Sequence, residues 1–360
     1  MKKLALISLA LGVFAAALSS VSALVFPMKG ASPQEAAPAP APSAAAPSYP
    51  EPPSGEGGVL PFAGEGDSRA VVRVKFGDEA RELSMFEYLV GVVAGEMPAS
   101  FEPEALRAQA TAARTYALYG VFVSAPGSHP EADVCSDPGC CAAFASDVSL
   151  REGWGGDYDA NISKIRSAVA STDGVYITYG SEPILAAFHS SSYGSTENAE
   201  DVWLGARPYL VSVPSPETEE DVPGLISTVT VSPEDFKATA TAALPDAVFG
   251  HDAGTWITDV TEDRAGRVAT LKIGGVPVTG AKLRALFGLR STAVSVRVDA
   301  SGDGGADVVF TTAGHGHGVG MSQYGANAMA KSGAGWRDII KAYYTGAELS
   351  DEVFVETVKL

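Results

Sequence analysis

The alternation of apolar and polar positions divides the chain into helices and strands and predicts an α+β fold. Residues 70–76, AVVRVKF, alternate apolar and basic side chains, the period of a strand with one buried face. Ser84 then stands as a helix N-cap, with Glu87 three residues on to complete a capping box. The helix is amphipathic through Phe86, Leu89, Val90 and Val93. It stops around Glu96, because Pro98 disfavours helical dihedrals at Met97. Glu102 and Pro103 open a second helix, with proline in the tolerated first position, and it runs to about Val123. Its Ala105, Ala108, Ala112 and Ala113 are small enough to let another backbone approach closely. Residues 161–171 predict a short helix, and residues 175–179 and 184–188 two strands across a turn at Gly180 and Ser181. Ser232 and Pro233 start another helix, residues 256–261 and 267–273 read as strands, and Thr279 caps a helix to Leu286. Residues 322–331 and 336–344 predict the last two helices.

The two ends lie outside this pattern. Lys2 and Lys3 precede an almost uninterrupted apolar run to Phe26, which marks the chain for export. Val21, Ser22 and Ala23 resemble a signal-peptidase site, but a run of about 20 apolar residues is long enough to span a bilayer. Residues 1–29 are therefore read as an uncleaved single-pass membrane anchor, with the lysines inside and the rest of the chain extracytoplasmic. Residues 30–67 are rich in Pro, Ala, Gly and Glu and cannot build a core, so they read as a disordered spacer. Residues 68–350 form one large globular region, with 212–300 as a supporting insertion, and 351–360 are a tail.

Charge narrows the partners. A net charge of −18 argues against nucleic acid, which needs a basic face. The three cysteines, Cys135, Cys140 and Cys141, lie within seven residues and cannot form a distributed disulfide framework. The adjacent Cys140 and Cys141 are geometrically poor partners for each other.

Three polar concentrations carry candidate chemistry. The first is Glu96, between an apolar segment and the Met-Pro break. The macrodipole at a helix C-terminus and the apolar neighbours both disfavour its charge, so its pKa should rise, as a general acid requires. Arg107, Thr111 and Arg114 follow at spacings of four and three, on one helical face. That face is either a ligand contact or simply solvated. The second is HPEADVCSDPGCCAAF, where His129, Cys135 and Cys141 are spaced six and six. An imidazole and two thiolates supply three ligands for tetrahedral zinc. A Cys135–Cys141 disulfide and free thiols are the rivals. The third is a pair of polar loops: His189, Ser190, Ser191 and Ser192 after a buried strand, and GHGHGVGMSQYGA at 314–326, with His317 and Gln323. A Ser–His nucleophile has no elbow sequence here.

Together GEMPASFEPEALRAQATAARTYAL, DVCSDPGCCAAF, FHSSSYGSTENAEDVW and GHGHGVGMSQYGANAMA resemble the stage II sporulation protein D (SpoIID/LytB) family, over about residues 70–348. The resemblance implies a single catalytic region with a substrate groove. It implies a peptidoglycan lytic transglycosylase acting on glycan strands stripped of stem peptides during engulfment, alongside an amidase or endopeptidase and other engulfment proteins. On this pattern Glu96 matches the catalytic acid and Arg114 the required arginine of AARTYA. His129, Cys135 and Cys141 match the zinc ligands of some members, a zinc read as structural. His317 matches the histidine of GHGVGMSQ. Arg107, His189, Ser190, Ser192 and Gln323 join Arg114 and His317 as expected substrate contacts. Tyr193 and Ser195 depart from the usual glycine and lysine, and His315 from the usual aromatic. The rival functions are a glycan-binding scaffold and a zinc-dependent wall hydrolase.

Overall fold

The computed structural model describes residues 65–122, 129, 131–203, 205–300 and 306–351. The expected membrane anchor, most of the expected spacer and all but the first residue of the expected C-terminal tail lie outside these residues. Among the described residues no helix is long and apolar enough to cross a membrane.

The fold is built around one long helix. The chain opens with α1 (Glu65–Arg69), the hairpin β1 (Val71–Phe76) and β2 (Glu79–Ser84), then α2 (Met85–Glu96) and α3 (Pro103–Phe122). Ser84 caps α2 as expected: its hydroxyl accepts the Glu87 N–H at 3.2 Å, and the Glu87 carboxylate accepts the Ser84 N–H. Met97 is extended, as a residue before proline should be, and ends the helix at Glu96. Along α3, Ala105, Ala108, Ala110, Ala112, Ala113 and Ala117 are almost wholly buried. Their missing side-chain bulk lets α2 and α5 (Tyr158–Ala170) pack against α3, and α9 (Gln323–Lys331) and α10 (Trp336–Tyr343) likewise.

The first core is completed by β3 (Val134–Cys135), parallel to β1, by α4 (Asp147–Trp154), and by the hairpin β4 (Tyr176–Tyr179) and β5 (Glu182–Pro183). Gly180 and Ser181 both have positive φ, the signature of a two-residue hairpin turn. The predicted second strand at 184–188 is shorter than expected. The Ile184 N–H still reaches the Ile177 carbonyl at 3.1 Å, and β5 ends there. The Ala187 carbonyl is drawn off to the Met321 N–H (3.0 Å) and the Tyr344 hydroxyl (2.9 Å). The chain then pairs as β6 (Phe188–His189) with β13 (Met321–Ser322), in parallel. The short helix α6 (Ala199–Val202) follows, and β14 (Glu348–Ser350) closes against β4.

The insertion has its own core. Strand β7 (Ile226–Val231), helix α7 (Pro233–Ala243), the sheet of β8 (Ile257–Glu262), β9 (Val268–Ile273) and β10 (Val276–Thr279), helix α8 (Gly280–Phe287), and strands β11 (Val294–Ala300) and β12 (Ala306–Ala313) surround stacked aromatics. Phe236 and Phe310 each lie 4.9 Å from Phe287 between ring centroids. The expected boundary at 300 falls too early. Strand β12 pairs with β7 and β11, so the insertion runs to Ala313 and hands the chain directly to the glycine-rich loop.

The N-terminal boundary also moves. Glu65–Arg69 is helical, and Asp67 is fully buried against Arg114. The last residues assigned to the spacer therefore belong to the folded region.

Candidate active site

Glu96 sits where the sequence puts it, at the last residue of α2, and is held on both oxygens. Oε1 accepts the Ala143 N–H at 2.6 Å and Oε2 accepts the Gln323 side-chain amide at 2.9 Å. Burial raises its pKa, against the pull of these two donors. The donors come from two distant parts of the chain. Gln323 is the first residue of α9, and Ala143 follows the cysteine loop by two residues. Gly91 and Gly95, one turn apart on α2, admit that loop. A Cβ on Gly91 would lie 2.2 Å from the Phe144 ring, and one on Gly95 2.9 Å from the Ala143 carbonyl oxygen.

The two polar loops join behind Gln323. Ser191 and His315 exchange backbone hydrogen bonds of 3.1 and 2.8 Å, and the Glu197 N–H reaches the Gly318 carbonyl at 2.7 Å. Gly320 has φ +74°, and a Cβ there would lie 2.0 Å from the Ala187 carbonyl oxygen, so only glycine fits the pairing. His189 is buried and neutral, its pKa driven well below the ordinary value by desolvation and then by His317 and Arg267. Val319 O can only accept, so His189 Nδ1 donates to it (3.2 Å), and Nε2 accepts the Ser192 hydroxyl (2.7 Å). His317 is half-buried, and desolvation, helped by Arg284, lowers it to about 4. Its ring stands 5.0 Å from Trp203, which is 36% exposed.

Several expected contacts are corrected by burial. Arg114 is fully buried: its Nε donates to Asp67 Oδ1 at 2.8 Å, its Nη2 to Oδ2 at 2.5 Å, and its Nη1 to the Val175 carbonyl. It does share a helical face with Arg107, as the spacing predicts, but that face meets α1 and the end of α5. Arg107 is held by Glu104 and by the Ser171 hydroxyl at 2.9 Å. Ser192, His189 and Gln323 are 0%, 4% and 4% exposed, so they build the site from behind rather than meet a ligand. Ser190 and His317 remain half-buried, and the Ser190 carbonyl accepts the Tyr324 N–H.

Other supporting residues carry no sequence signal. Glu217, in the run SPETEE, reads as solvated acid. It is 4% exposed and accepts the Ser192 N–H (2.7 Å) and the hydroxyls of Ser322 and Ser215 (2.5 Å each), tying the serine loop to the start of α9. Arg267, from the insertion, lies 2.5 Å from Glu197 in a buried ion pair.

The cysteine loop brings His129, Cys135 and Cys141 together, and Cys140 with them, all four donor atoms within 4.8 Å of one another. The three thiols are free. An imidazole with thiolates suits zinc.

A model of the family "Stage II sporulation protein" matches residues 77–179. Stage II sporulation protein D of Bacillus amyloliquefaciens is 41% identical over 266 residues, 74% of each chain. The protein of that name from Bacillus subtilis is 40% identical over the same share of each. The amidase enhancer of Bacillus subtilis is 27% identical, over 73% of this chain and 40% of its own. At this identity and coverage the chain belongs to the stage II sporulation protein D family.

Proposed function

We propose that the chain is a lytic transglycosylase that cleaves the β-1,4 bond between N-acetylmuramic acid and N-acetylglucosamine in peptide-free glycan strands. The observation that carries this reading is Glu96, a desolvated carboxyl gripped on both oxygens, with no second carboxylate among the described groups that shift it. An ordinary glycosidase needs two acids. One suffices if the sugar supplies its own nucleophile. Protonated Glu96 gives its proton to the glycosidic oxygen, and the bond to muramic C1 breaks with oxocarbenium character. The carboxylate then takes the proton of the muramic C6 hydroxyl, whose oxygen closes on C1. A 1,6-anhydro sugar forms, no water is consumed, and Glu96 ends protonated as it began.

Gln323 suits both states of the acid. Its amide nitrogen donates to the carboxylate, and rotation of the amide would let its oxygen accept from the carboxylic acid. Trp203 and His317 offer a surface on which a sugar ring can stack. Zinc bound by His129, Cys135 and Cys141 would fix the loop that presents Ala143 N–H to Glu96, a structural service.

The wider setting is proposed on the same terms. Lys2, Lys3 and the apolar run after them support a membrane anchor and an extracytoplasmic domain. Relatives named for sporulation and for enhancing an amidase support work on the cell wall beside an amidase during engulfment. The test is whether purified peptide-free strands are shortened by the chain and left intact by its Glu96→Gln form.

One further outcome follows from the grip on Glu96. The Gln323 donor lowers the carboxyl's pKa, so Gln323→Leu should raise it. Cleavage needs the protonated acid, and its alkaline limb should therefore move to higher pH in the variant. A pH–rate profile measures this, and an unmoved limb would remove Gln323 from the account.

A further inference from the structure

The chain just after α8 leans on the glycine-rich loop. The Arg290 carbonyl accepts the Gly316 N–H at 2.9 Å, and Arg290 Nη2 lies 3.2 Å from His315 Nδ1. One residue earlier, the Leu289 carbonyl accepts Arg284 Nε at 3.2 Å. The insertion therefore sets three guanidinium groups, those of Arg267, Arg284 and Arg290, against this loop, and two of them are occupied. Arg290 Nη1 is held by the Gly224 carbonyl at 2.7 Å. Arg267 pairs with Glu197 beside Gly318, where a Cβ would lie 2.8 Å from the guanidinium carbon. Arg284 has no such partner: among the described residues its one hydrogen bond is from Nε, and no carboxylate acts on it.

Arg284 is half-buried, and burial and then the Arg267 guanidinium both disfavour its cation. An arginine stays ionised all the same, so its two Nη groups hold a partly desolvated charge with nothing to answer it. It stands beside His317: after burial, Arg284 is the next cause that holds that imidazole down at about 4. His317 and the buried His189 are therefore neutral near neutral pH. Arg284 supplies the positive charge beside the surface that Trp203 and His317 form, their rings 5.0 Å apart.

We infer that Arg284 binds the lactyl carboxylate of a muramic residue, so that the insertion selects glycan strands from which the stem peptides have been removed. The inference rests on the reading of peptide-free glycan as the ligand, and it names the group by which such a strand is told apart. The acetamido and hydroxyl groups of an acetylated strand are neutral. Its lactyl carboxyl is an amide while a stem peptide is attached, and hydrolysis of that amide returns a carboxylate. A planar guanidinium with both Nη groups free matches a carboxylate, which can accept from both, and an amide offers it no charge. Trp203 supplies the ring contact and Arg284 the charge.

The test is the binding of two ligands, peptide-free strands and the same strands with their carboxyl groups converted to methylamides, by the native chain, Arg284→Gln and Arg284→Lys. Calorimetry reads it without requiring cleavage. The native chain should bind the free-acid strands at least ~10-fold more tightly, the scale of hydrogen bonds to a charged group. Arg284→Gln should bind both strands as the native chain binds the methylamide, and Arg284→Lys should recover part of the difference. Where strands are cleaved, the loss should fall on KM, with kcat near native. Equal binding of the two strands by the native chain, or a preference that persists in Arg284→Gln, would overturn the role of Arg284, and the native comparison stands even if the variant does not fold. Failure of the native chain to bind either strand would overturn this role and the proposed function together. The expected preference in a chain that leaves the strands uncut would overturn the cleavage reading and keep Arg284 as the residue that reads the carboxylate.

Discussion

Glu96→Gln is expected to reduce cleavage of peptide-free glycan strands by about 10²–10⁴-fold, the range by which a positioned general acid accelerates reaction. Its packing should survive, because an amide oxygen can still accept the Ala143 N–H. The same substitution should raise the melting temperature at neutral pH. Burial holds the Glu96 carboxyl above its ordinary pKa, so the fold favours the neutral form. The sign is fixed by linkage. Below the unfolded pKa the acid is neutral in both states and imposes no penalty. As pH rises through the folded pKa, the native chain loses stability relative to a side chain that never ionises. The gap between Glu96→Gln and native protein should therefore widen from acid to neutral pH. Calorimetry across that range measures it, and a gap that narrows with pH would mean that Glu96 is not desolvated. A gain in stability with a loss of turnover marks a group retained for chemistry.

Arg114 is expected to behave in the opposite way. Its pair with Asp67 is fully buried and bidentate. Removing one partner leaves the other charge buried and uncompensated, at about 3–5 kcal/mol. Arg114→Met should thus lower the melting temperature by roughly 10 °C. Asp67→Leu should do the same, although Asp67 is the last residue of the stretch whose composition reads as a spacer. The double variant should recover much of the loss, since apolar residues replace a buried ion pair without leaving a charge behind. A ligand-binding arginine would instead raise KM with stability intact. Thermal unfolding of the single and double variants, beside KM on glycan strands, separates the two roles. Native-like stability in Arg114→Met would return the residue to the substrate.

What the sequence discloses here follows from how local each signal is. The Ser84–Glu87 capping box, the break at Pro98 and the proline start of α3 are contained within a few residues, and the structure has them as read. Glu96 could be placed at a helix end for the same reason, though its donors could not: Ala143 is 47 residues away and Gln323 is 227. Strand β2 has no apolar alternation, because most of its residues are exposed, and only pairing with β1 makes it a strand. Arg107 and Arg114 do share a face, but spacing cannot say what that face meets. It meets α1, a helix written in polar residues at the edge of a Pro- and Gly-rich tract. Glu217 and Arg267 show the same blindness. Each looks like a solvated charge in its own run, and each is buried by a partner supplied from another part of the chain. Spacing alone does not show that Cys140 and Cys141 both approach His129, a contact that the turn at Asp137 arranges.

The most direct measurement of the central claim is the mass of the new chain ends that the native protein makes from peptide-free glycan strands. Closure of the C6 hydroxyl on C1 gives 1,6-anhydro-muramic ends, lighter by one water than the ends of hydrolysis, and lost in Glu96→Gln. Ends carrying the mass of hydrolysis, or anhydro ends that persist in Glu96→Gln, would contradict a reaction run by this single carboxyl.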